Sequence, residues 1–344
     1  MAGRDGSDDG DRARLQRERR RSPSHDLQTL NAAERAPLGK TSLRVTRLGL
    51  GTAPLGGLFE AVTDDEAHRV VEAAWQAGIR FFDTAPLYGH GLAERRLGEV
   101  LRTKPRNEFV LATKVGRLLR ADAPADPGQS YKGVPPVNPV FDFSYDGVMR
   151  SVEESLARFG LDGVDVLHIH DPDEHFEEAL GGAYPALERL RAEGSIKAVG
   201  AGMNQAEMLA RFAREADFDC FLLAGRYTLL DHLGAKELLG LCIQHGIGII
   251  AGGVFNSGIL ADPRPGANFN YQPAPPALVR RAEELKAICE RHGVELKAAA
   301  IQFPLRHHAV ASVLTGCRSV AEVEENVRMF QTSIPDQLWG ALGA

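Results

Sequence analysis

From about residue 47 to the end, the chain alternates short runs that are apolar throughout with longer stretches that are apolar on one face. The strand-length runs are Arg47-Leu48-Gly49-Leu50, Arg80-Phe81-Phe82, Phe109-Val110-Leu111-Ala112, Val164-Asp165-Val166-Leu167, Ile196-Lys197-Ala198-Val199, Cys220-Phe221-Leu222-Leu223, Ile247-Gly248-Ile249-Ile250 and Val310-Ala311-Ser312-Val313-Leu314. Such runs suit parallel strands covered on both faces. Amphipathic helices are expected between them. Thr63 and Glu66 form a capping pattern, Ala67, Val70, Val71 and Ala74 follow at helical spacing, and Gly78 supplies a stop. The same grammar returns in Val148, Val152, Leu156 and Phe159 before Gly160, in Leu187 and Leu190 before Gly194, and in Leu285, Ile288 and Cys289 before Gly293. Eight strand–helix units with right-handed crossovers close into an α/β fold of the (β/α)8 TIM-barrel type. An open doubly wound sheet fits the same periodicity.

A length of 344 residues suits one barrel, and 44% hydrophobic with 25% charged residues is ordinary globular composition. A net charge of -6 leaves no basic footprint for nucleic acid. Cys220, Cys242, Cys289 and Cys317 form no CxxC pair and read as small core residues in a reducing compartment. No stretch has the apolar length of a membrane span, and no apolar segment near the start resembles a secretory signal. A cytoplasmic protein without membrane contact is therefore expected. Monomer and homo-oligomer both fit the sequence.

Residues 1–36 differ from the rest. Arg17, Arg19, Arg20 and Arg21 sit among Asp, Gly and Ser with almost no large apolar residue, so a disordered tail is expected. Asp5, Asp8, Asp9 and Asp11 dilute the charge and weigh against a basic docking arm. Residues 37–344 are expected to form the barrel, entered by an N-terminal hairpin. Two long segments, 117–144 and 262–276, follow strands ending near Thr113 and Ala251. In a barrel both rise over the C-terminal mouth, where active sites lie.

Reactive residues cluster at strand ends. Asp83 follows Phe81-Phe82, Lys114 follows Ala112-Thr113, His170 follows Leu167-His168-Ile169, and Tyr88 lies five residues after Asp83. A single charged residue there is a solvated cap; an acid, an amine, an imidazole and a phenol at neighbouring strand ends form a proton-transfer set. A phenol is a poor acid or base at neutral pH. A nearby ammonium stabilises phenolate, so Lys114 is expected to lower the Tyr88 pKa, with Asp83 holding the ammonium charged. His170 can orient a substrate oxygen.

The segments Phe81-Phe82-Asp83-Thr84-Ala85-Pro86-Leu87-Tyr88-Gly89, Ala112-Thr113-Lys114-Val115 and Ile169-His170-Asp171-Pro172 resemble, in order, the signatures of the aldo-keto reductase superfamily. The resemblance spans roughly residues 38–335 and implies that its catalytic Asp, Tyr, Lys and His fall on Asp83, Tyr88, Lys114 and His170. Gly200-Ala201-Gly202-Met203-Asn204-Gln205 and Gly252-Gly253-Val254-Phe255-Asn256-Ser257-Gly258 resemble the NAD-linked aldose 1-dehydrogenases, the group that includes pyridoxal dehydrogenases. That implies oxidation of a cyclic hemiacetal, a sugar or pyridoxal, to a lactone. It also implies cofactor contacts from Gly51, Thr52, Asp83, Asn204, Gly253, Ser257, Gly316, Arg318, Glu322, Glu325 and Asn326. Gly202-Met203 replaces the common Ser-Asn, which shifts carboxamide binding to Asn204 or the backbone. Gly252 stands where a stacking aromatic is frequent, with Phe255 as the nearby substitute. Aligned on Glu325-Asn326, the basic positions that hold a 2′-phosphate in NADP-using relatives become Gly316 and Glu322, with Arg318 nearby. A carboxylate at Glu322 repels that phosphate and implies NAD rather than NADP.

Other readings are weaker. Gly49-Leu50-Gly51 with Gly56-Gly57 lacks the dinucleotide-fingerprint spacing and reads as strand and turn. His168 and His170 could start a metallohydrolase site, but the strands ending near Val199, Leu223 and Ala251 add no ligands, so His168 reads as a core residue and no metal is expected. His307-His308 precedes the last strand, at the end away from the mouth. A nucleotide-sensing barrel without activity and an NADPH-dependent aldehyde reductase are the remaining alternatives; the complete tetrad opposes the first, and Gly316 with Glu322 opposes the second.

Overall fold

The computed structural model describes residues 29–343 except 126, 127 and 129. Eight parallel strands form a closed barrel: β1 (Leu48–Gly51), β2 (Phe81–Asp83), β3 (Val110–Val115), β4 (Val166–His170), β5 (Ala198–Met203), β6 (Cys220–Ala224), β7 (Gly248–Gly252) and β8 (Val310–Gly316). Closure comes from β8 pairing with β1 in the register Val313 to Leu48. Each expected apolar run overlaps one barrel strand, and the closed barrel replaces the open-sheet alternative. The runs stop one to four residues short of the strand ends at the mouth, because the residue that follows each run is polar, glycine or alanine.

The strand period of two sorts the side chains. Phe81, Val110, Ala112, Val166, Ala198, Cys220, Leu222, Ile250, Ala311 and Leu314 fill the barrel interior. Their strand neighbours, such as Phe82, Leu111, Leu167, Val199 and Phe221, join the larger core beneath the helices. Asp83, Lys114, His168 and His170 share the parity of the interior set and stand one step nearer the mouth. The strand pattern itself thus aims them at a common axis.

An N-terminal hairpin (Arg35–Pro37 with Arg44–Thr46) brings Leu38, Leu43 and Val45 onto the interior cluster and plugs the barrel floor. This corrects the expected boundary at residue 36. Arg35 already pairs with Thr46, and Ala32 is fully buried. The rest of the expected tail, residues 1–28, lies outside the described residues.

The barrel is wrapped by α1 (Asp64–Gln76), α2 (Leu92–Leu101), α3 (Tyr145–Phe159), α4 (Tyr184–Ala192), α5 (Ala206–Glu215), α6 (Lys236–His245), α7 (Pro276–Arg291), α8 (Leu296–Gln302) and α9 (Val320–Gln331). The Thr63 side chain accepts from Glu66 N at 3.2 Å, as the capping pattern requires. Ser144 and Ser319 cap α3 and α9 in the same way. All four cysteines are buried and free. No helix among the described residues is long and apolar enough to cross a membrane.

The two long segments after β3 and β7 carry structure of their own. Arg117–Arg120 pairs antiparallel with Asn138–Phe141, and Asn268–Phe269 pairs with Gln272–Pro273. The loop after β1 zips onto the first of them, Phe59 N donating to Ser130 O at 2.8 Å and Lys132 N to Gly57 O at 2.9 Å. The loops after β1 and β3 are thus joined by backbone, and the loop after β7 meets them through Tyr271, whose ring centroid lies 6.2 Å from that of Phe59.

Candidate active site

The mouth encloses a cavity of about 430 Å³ whose lining includes Tyr88, Lys114, His170, Gly202, Met203 and Asn204. At its floor Lys114 Nζ donates to Asp83 Oδ1 at 2.6 Å and to Thr84 O at 2.8 Å. Both side chains are almost wholly buried, 1% and 3% exposed, so each charge is retained only through the other. The second carboxylate oxygen, Asp83 Oδ2, is buried without a hydrogen-bond partner.

The Lys114 ammonium also lies 4.6 Å from the centroid of the Tyr88 ring. His170 meets that ring edge-on, with centroids 5.8 Å apart. Thr113 fixes the strand beside Lys114 from the outer face, its Oγ1 donating to the buried Glu94 at 2.6 Å, while Arg158 Nε donates to the other Glu94 oxygen at 2.6 Å. The structure thus brings Asp83, Tyr88, Lys114 and His170 together, each on a strand end or the turn that follows.

Electrostatics depart from expectation at Tyr88. Burial raises its pKa well above the ordinary tyrosine value, and Asp83 and Asp171 add to the rise while Arg117 opposes it. Lys114, bonded to Asp83 and 4.6 Å from the ring centroid, does not produce the expected net lowering. Burial likewise raises the Asp83 pKa, against the pull of Lys114. His170 is held well below the ordinary histidine value by burial first, then by the charges of Arg117 and Lys114. At neutral pH it is an uncharged hydrogen-bonding group.

His168 is fully buried below His170, and a side chain on Gly200 would meet its Nδ1 at 2.2 Å. Among the described residues no group of three or more His, Cys, Asp or Glu is placed to hold a metal ion. His307 lies at the start of β8, away from the mouth, where Ala309 N donates to its Nδ1 at 3.2 Å.

The expected cofactor residues other than Asp83 divide among the ends of four strands, β5, β1, β7 and β8. Asn204 lines the cavity, its Nδ2 donating to Ala224 O at 2.9 Å. Gly51 pairs in register with Asp83. Thr52 is fully buried and bonds to Asp83 O through both its N–H, at 3.0 Å, and its hydroxyl, at 3.1 Å. Thr52 therefore steadies Asp83 and presents no hydroxyl to the cavity. Gly253 and Ser257 lie just after β7, and Ser257 Oγ accepts from Tyr271 N at 2.9 Å. Gly316 ends β8, and Arg318, Glu322, Glu325 and Asn326 surround the start of α9.

There the Glu322 carboxylate accepts from Arg318 N at 2.8 Å. Glu325 pairs with Lys297, whose ammonium sits 5.4 Å from the Phe255 ring centroid. Asn326 Nδ2 lies 3.2 Å from Cys317 Sγ, and its Oδ1 is buried without a partner. Lys297 thus ties the loop after β7 to α9. Gly252 is inside β7, where an added side chain would press on Leu222 at 3.3 Å.

His90, Arg117, Asp171 and Tyr271 line the cavity with no role assigned to them from the sequence, and Tyr131 was placed only within the long segment after β3. Two of them had a signal, since Asp171 follows His170 directly and His90 follows Tyr88-Gly89. The other three come from the mouth loops, where no periodicity marks which side chain faces in.

The aldo/keto reductase family pattern matches residues 47–344. A pyridoxal 4-dehydrogenase from Microbacterium luteolum is 46% identical over 337 residues, covering 91% of this chain and 97% of that protein. A D-threo-aldose 1-dehydrogenase from a Pseudomonas species is 45% identical over 308 residues, covering 87% and 94%. An aldo-keto reductase from Bacillus halodurans, solved in holo form, superposes with a TM-score of 0.72 over 90% of this chain and 95% of that one; at 24% identity it speaks to the fold alone. With a strand-end Asp, Tyr, Lys and His gathered at the mouth of an eight-stranded barrel, the chain belongs to the aldo/keto reductase family and is an oxidoreductase acting on CH–OH groups.

Proposed function

We propose that the chain oxidises the anomeric carbon of a cyclic hemiacetal to a lactone, with NAD as acceptor and an aldose as substrate. The observation that carries this reading is the Lys114 ammonium held between the Asp83 carboxylate and the Tyr88 ring, with His170 against the ring's edge. In that arrangement Tyr88 takes the substrate hydroxyl proton, and neutral His170 orients the same oxygen by a hydrogen bond. The Lys114 ammonium, held in place by Asp83, lies against the phenol ring as the phenol loses its proton. A nicotinamide dinucleotide, when bound, supplies the acceptor for the hydrogen and electron pair leaving carbon.

The chain's own residues fit such a group. Asp83 Oδ2 and Asn326 Oδ1 are buried acceptors without partners, one at the end of β2 and the other in the first turns of α9 after β8. Asn204 lines the cavity from the end of β5. NAD rather than NADP is favoured by the Glu322 carboxylate, held at the start of α9 by Arg318 N–H. A cytoplasmic site of action agrees with four free, buried cysteines.

Purified protein mixed with NAD or NADP and with L-fucose, L-galactose, D-arabinose, pyridoxal or simple alcohols tests the proposal through the absorbance of reduced nicotinamide. NAD reduction with an aldose is expected. NADP-only turnover overturns the cofactor assignment. Turnover of simple alcohols alone overturns the hemiacetal.

A further inference from the structure

The proposed chemistry leaves one charged pair in the cavity without a task. Arg117 Nη2 lies 3.1 Å from Asp171 Oδ2, and the same oxygen lies 3.3 Å from His170 Nε2. Asp171 is held there by its backbone. Its φ is 42°, in the left-handed region, and its N–H donates to Gly202 O at 3.0 Å across to β5. Arg117 is held as well, its guanidinium 4.8 Å from the centroid of the Phe141 ring and its Nε buried without a partner. Both side chains line the cavity.

We propose that Arg117 and Asp171 are the specificity determinant for a hydroxyl on the carbon next to the reacting one. This inference rests on the hemiacetal reading and narrows it. If the reacting oxygen sits at Tyr88 and His170 Nε2, an oxygen on the adjacent carbon falls one hydrogen-bond length further along. Asp171 Oδ2 stands at that distance from His170 Nε2. A hydroxyl is both donor and acceptor, so it can donate to the Asp171 carboxylate while accepting from Arg117. An aldose carries such a hydroxyl at C2. Pyridoxal carries no oxygen on the ring carbon next to the reacting one, and its 3-oxygen, one carbon further, has as a phenolate no proton to give Asp171. The pair therefore selects aldoses with a free C2 hydroxyl.

The test measures kcat/KM of the full-length enzyme on an aldose and on its 2-deoxy analogue, for wild type and for Asp171→Asn, which keeps the shape and tolerates the same φ. Wild type is expected to lose about tenfold or more on the 2-deoxy sugar. Asp171→Asn is expected to lose about tenfold or more on the parent sugar but no more than about threefold on the analogue. Arg117→Lys, which leaves the Asp171 carboxylate in place, is expected to show the same selective loss in milder form. Equal loss on both sugars overturns the proposal, since Asp171 would then act through His170 or the fold. Wild-type turnover of pyridoxal but of no aldose also overturns it and leaves the hemiacetal chemistry standing. Turnover of no hemiacetal removes that chemistry and this inference with it.

Discussion

Lys114 Nζ and Asp83 Oδ1 meet at 2.6 Å at the floor of the barrel mouth, one from the end of β3 and the other from the end of β2. Neither charge reaches solvent. Removing one partner strands the other, which costs about 3–5 kcal/mol for a buried pair. Lys114→Met is therefore expected to lower the unfolding free energy by about that much and to abolish turnover. Adding Asp83→Asn removes the stranded charge, so the double variant should regain much of the stability and none of the activity. Urea unfolding of the three proteins checks this; a double variant less stable than Lys114→Met would show that the pair's worth lies elsewhere.

Tyr88 sets the pH dependence. Its pKa is raised well above 10, so at neutral pH the phenol is almost entirely protonated. Oxidation needs it as a base, and the phenolate fraction grows tenfold with each pH unit below that pKa. The rate of oxidation at saturating substrate should therefore rise from pH 7 to 9. Aldehyde reduction, which uses the protonated phenol, should not rise with it. Tyr88→Phe should lose about 10²–10⁴-fold in turnover and the alkaline rise together, while dinucleotide binding persists. A flat oxidation profile in wild type would mean that Tyr88 is not the base.

How far the sequence reveals this site depends on which contacts are local. Asp83, Lys114 and His170 were legible because strand parity and strand ends are local properties, and each follows its own apolar run. Tyr131 was not, because it reaches the cavity through backbone pairing opposite Leu58, more than 70 residues earlier in the chain. Tyr271 reaches it from the tip of the Asn268–Pro273 hairpin, a segment with no apolar alternation. The N-terminal boundary was missed for a related reason. Arg35–Pro37 is a mostly exposed strand whose partner, not its composition, makes it a strand.

Glu322 couples cofactor choice to a helix end. Its carboxylate accepts Arg318 N–H while its own N–H donates to Ser319 Oγ at 3.3 Å, closing the first turn of α9. Glu322→Arg should raise the NADP to NAD ratio of kcat/KM by about tenfold or more, since repulsion becomes attraction. Loss of the acceptor should also cost about 1 kcal/mol of stability. An unchanged ratio with that stability loss would assign Glu322 to the helix cap alone.

His168 makes acid stability measurable. Burial first, and the Lys114 charge second, lower its pKa to about 3. An unfolded histidine titrates near 6.5, so between those values the unfolded chain binds a proton that the folded chain lacks. Stability from this group is complete above pH 6.5 and falls by about 1.4 kcal/mol per pH unit as the pH drops toward 3. Asp83 and Asp171, with raised pKa values, act in the opposite direction. The difference between variants therefore isolates His168. Unfolding of wild type and His168→Leu at pH 7 and pH 5 should show a smaller acid loss in the variant; parallel losses would mean that His168 is not buried neutral.

Gly56 shows how the loop after β1 fixes the tyrosine. A Cβ on Gly56 would lie 2.6 Å from Gly89 N and 2.6 Å from the Tyr88 carbonyl carbon. These are backbone atoms, so no side-chain rotation relieves the clash. Gly89 is equally closed, since its Cβ would meet Gly56 O at 2.3 Å. The two turns touch through bare backbone, and the position of Tyr88 over Lys114 depends on that contact. Gly56→Ala should displace the Tyr88 turn by a few tenths of an ångström to an ångström. A shift of that size can cost about a hundredfold in turnover when it moves a reacting group. The expected signature is a fall in kcat with KM nearly constant and dinucleotide affinity preserved, because the cofactor-side residues around Gly253 and α9 are untouched. A Gly56→Ala enzyme with wild-type kcat would show that the Tyr88 turn is held by its own hydrogen bonds, Tyr88 N to Ala85 O and Ala93 N to Tyr88 O, without the contact to the first loop.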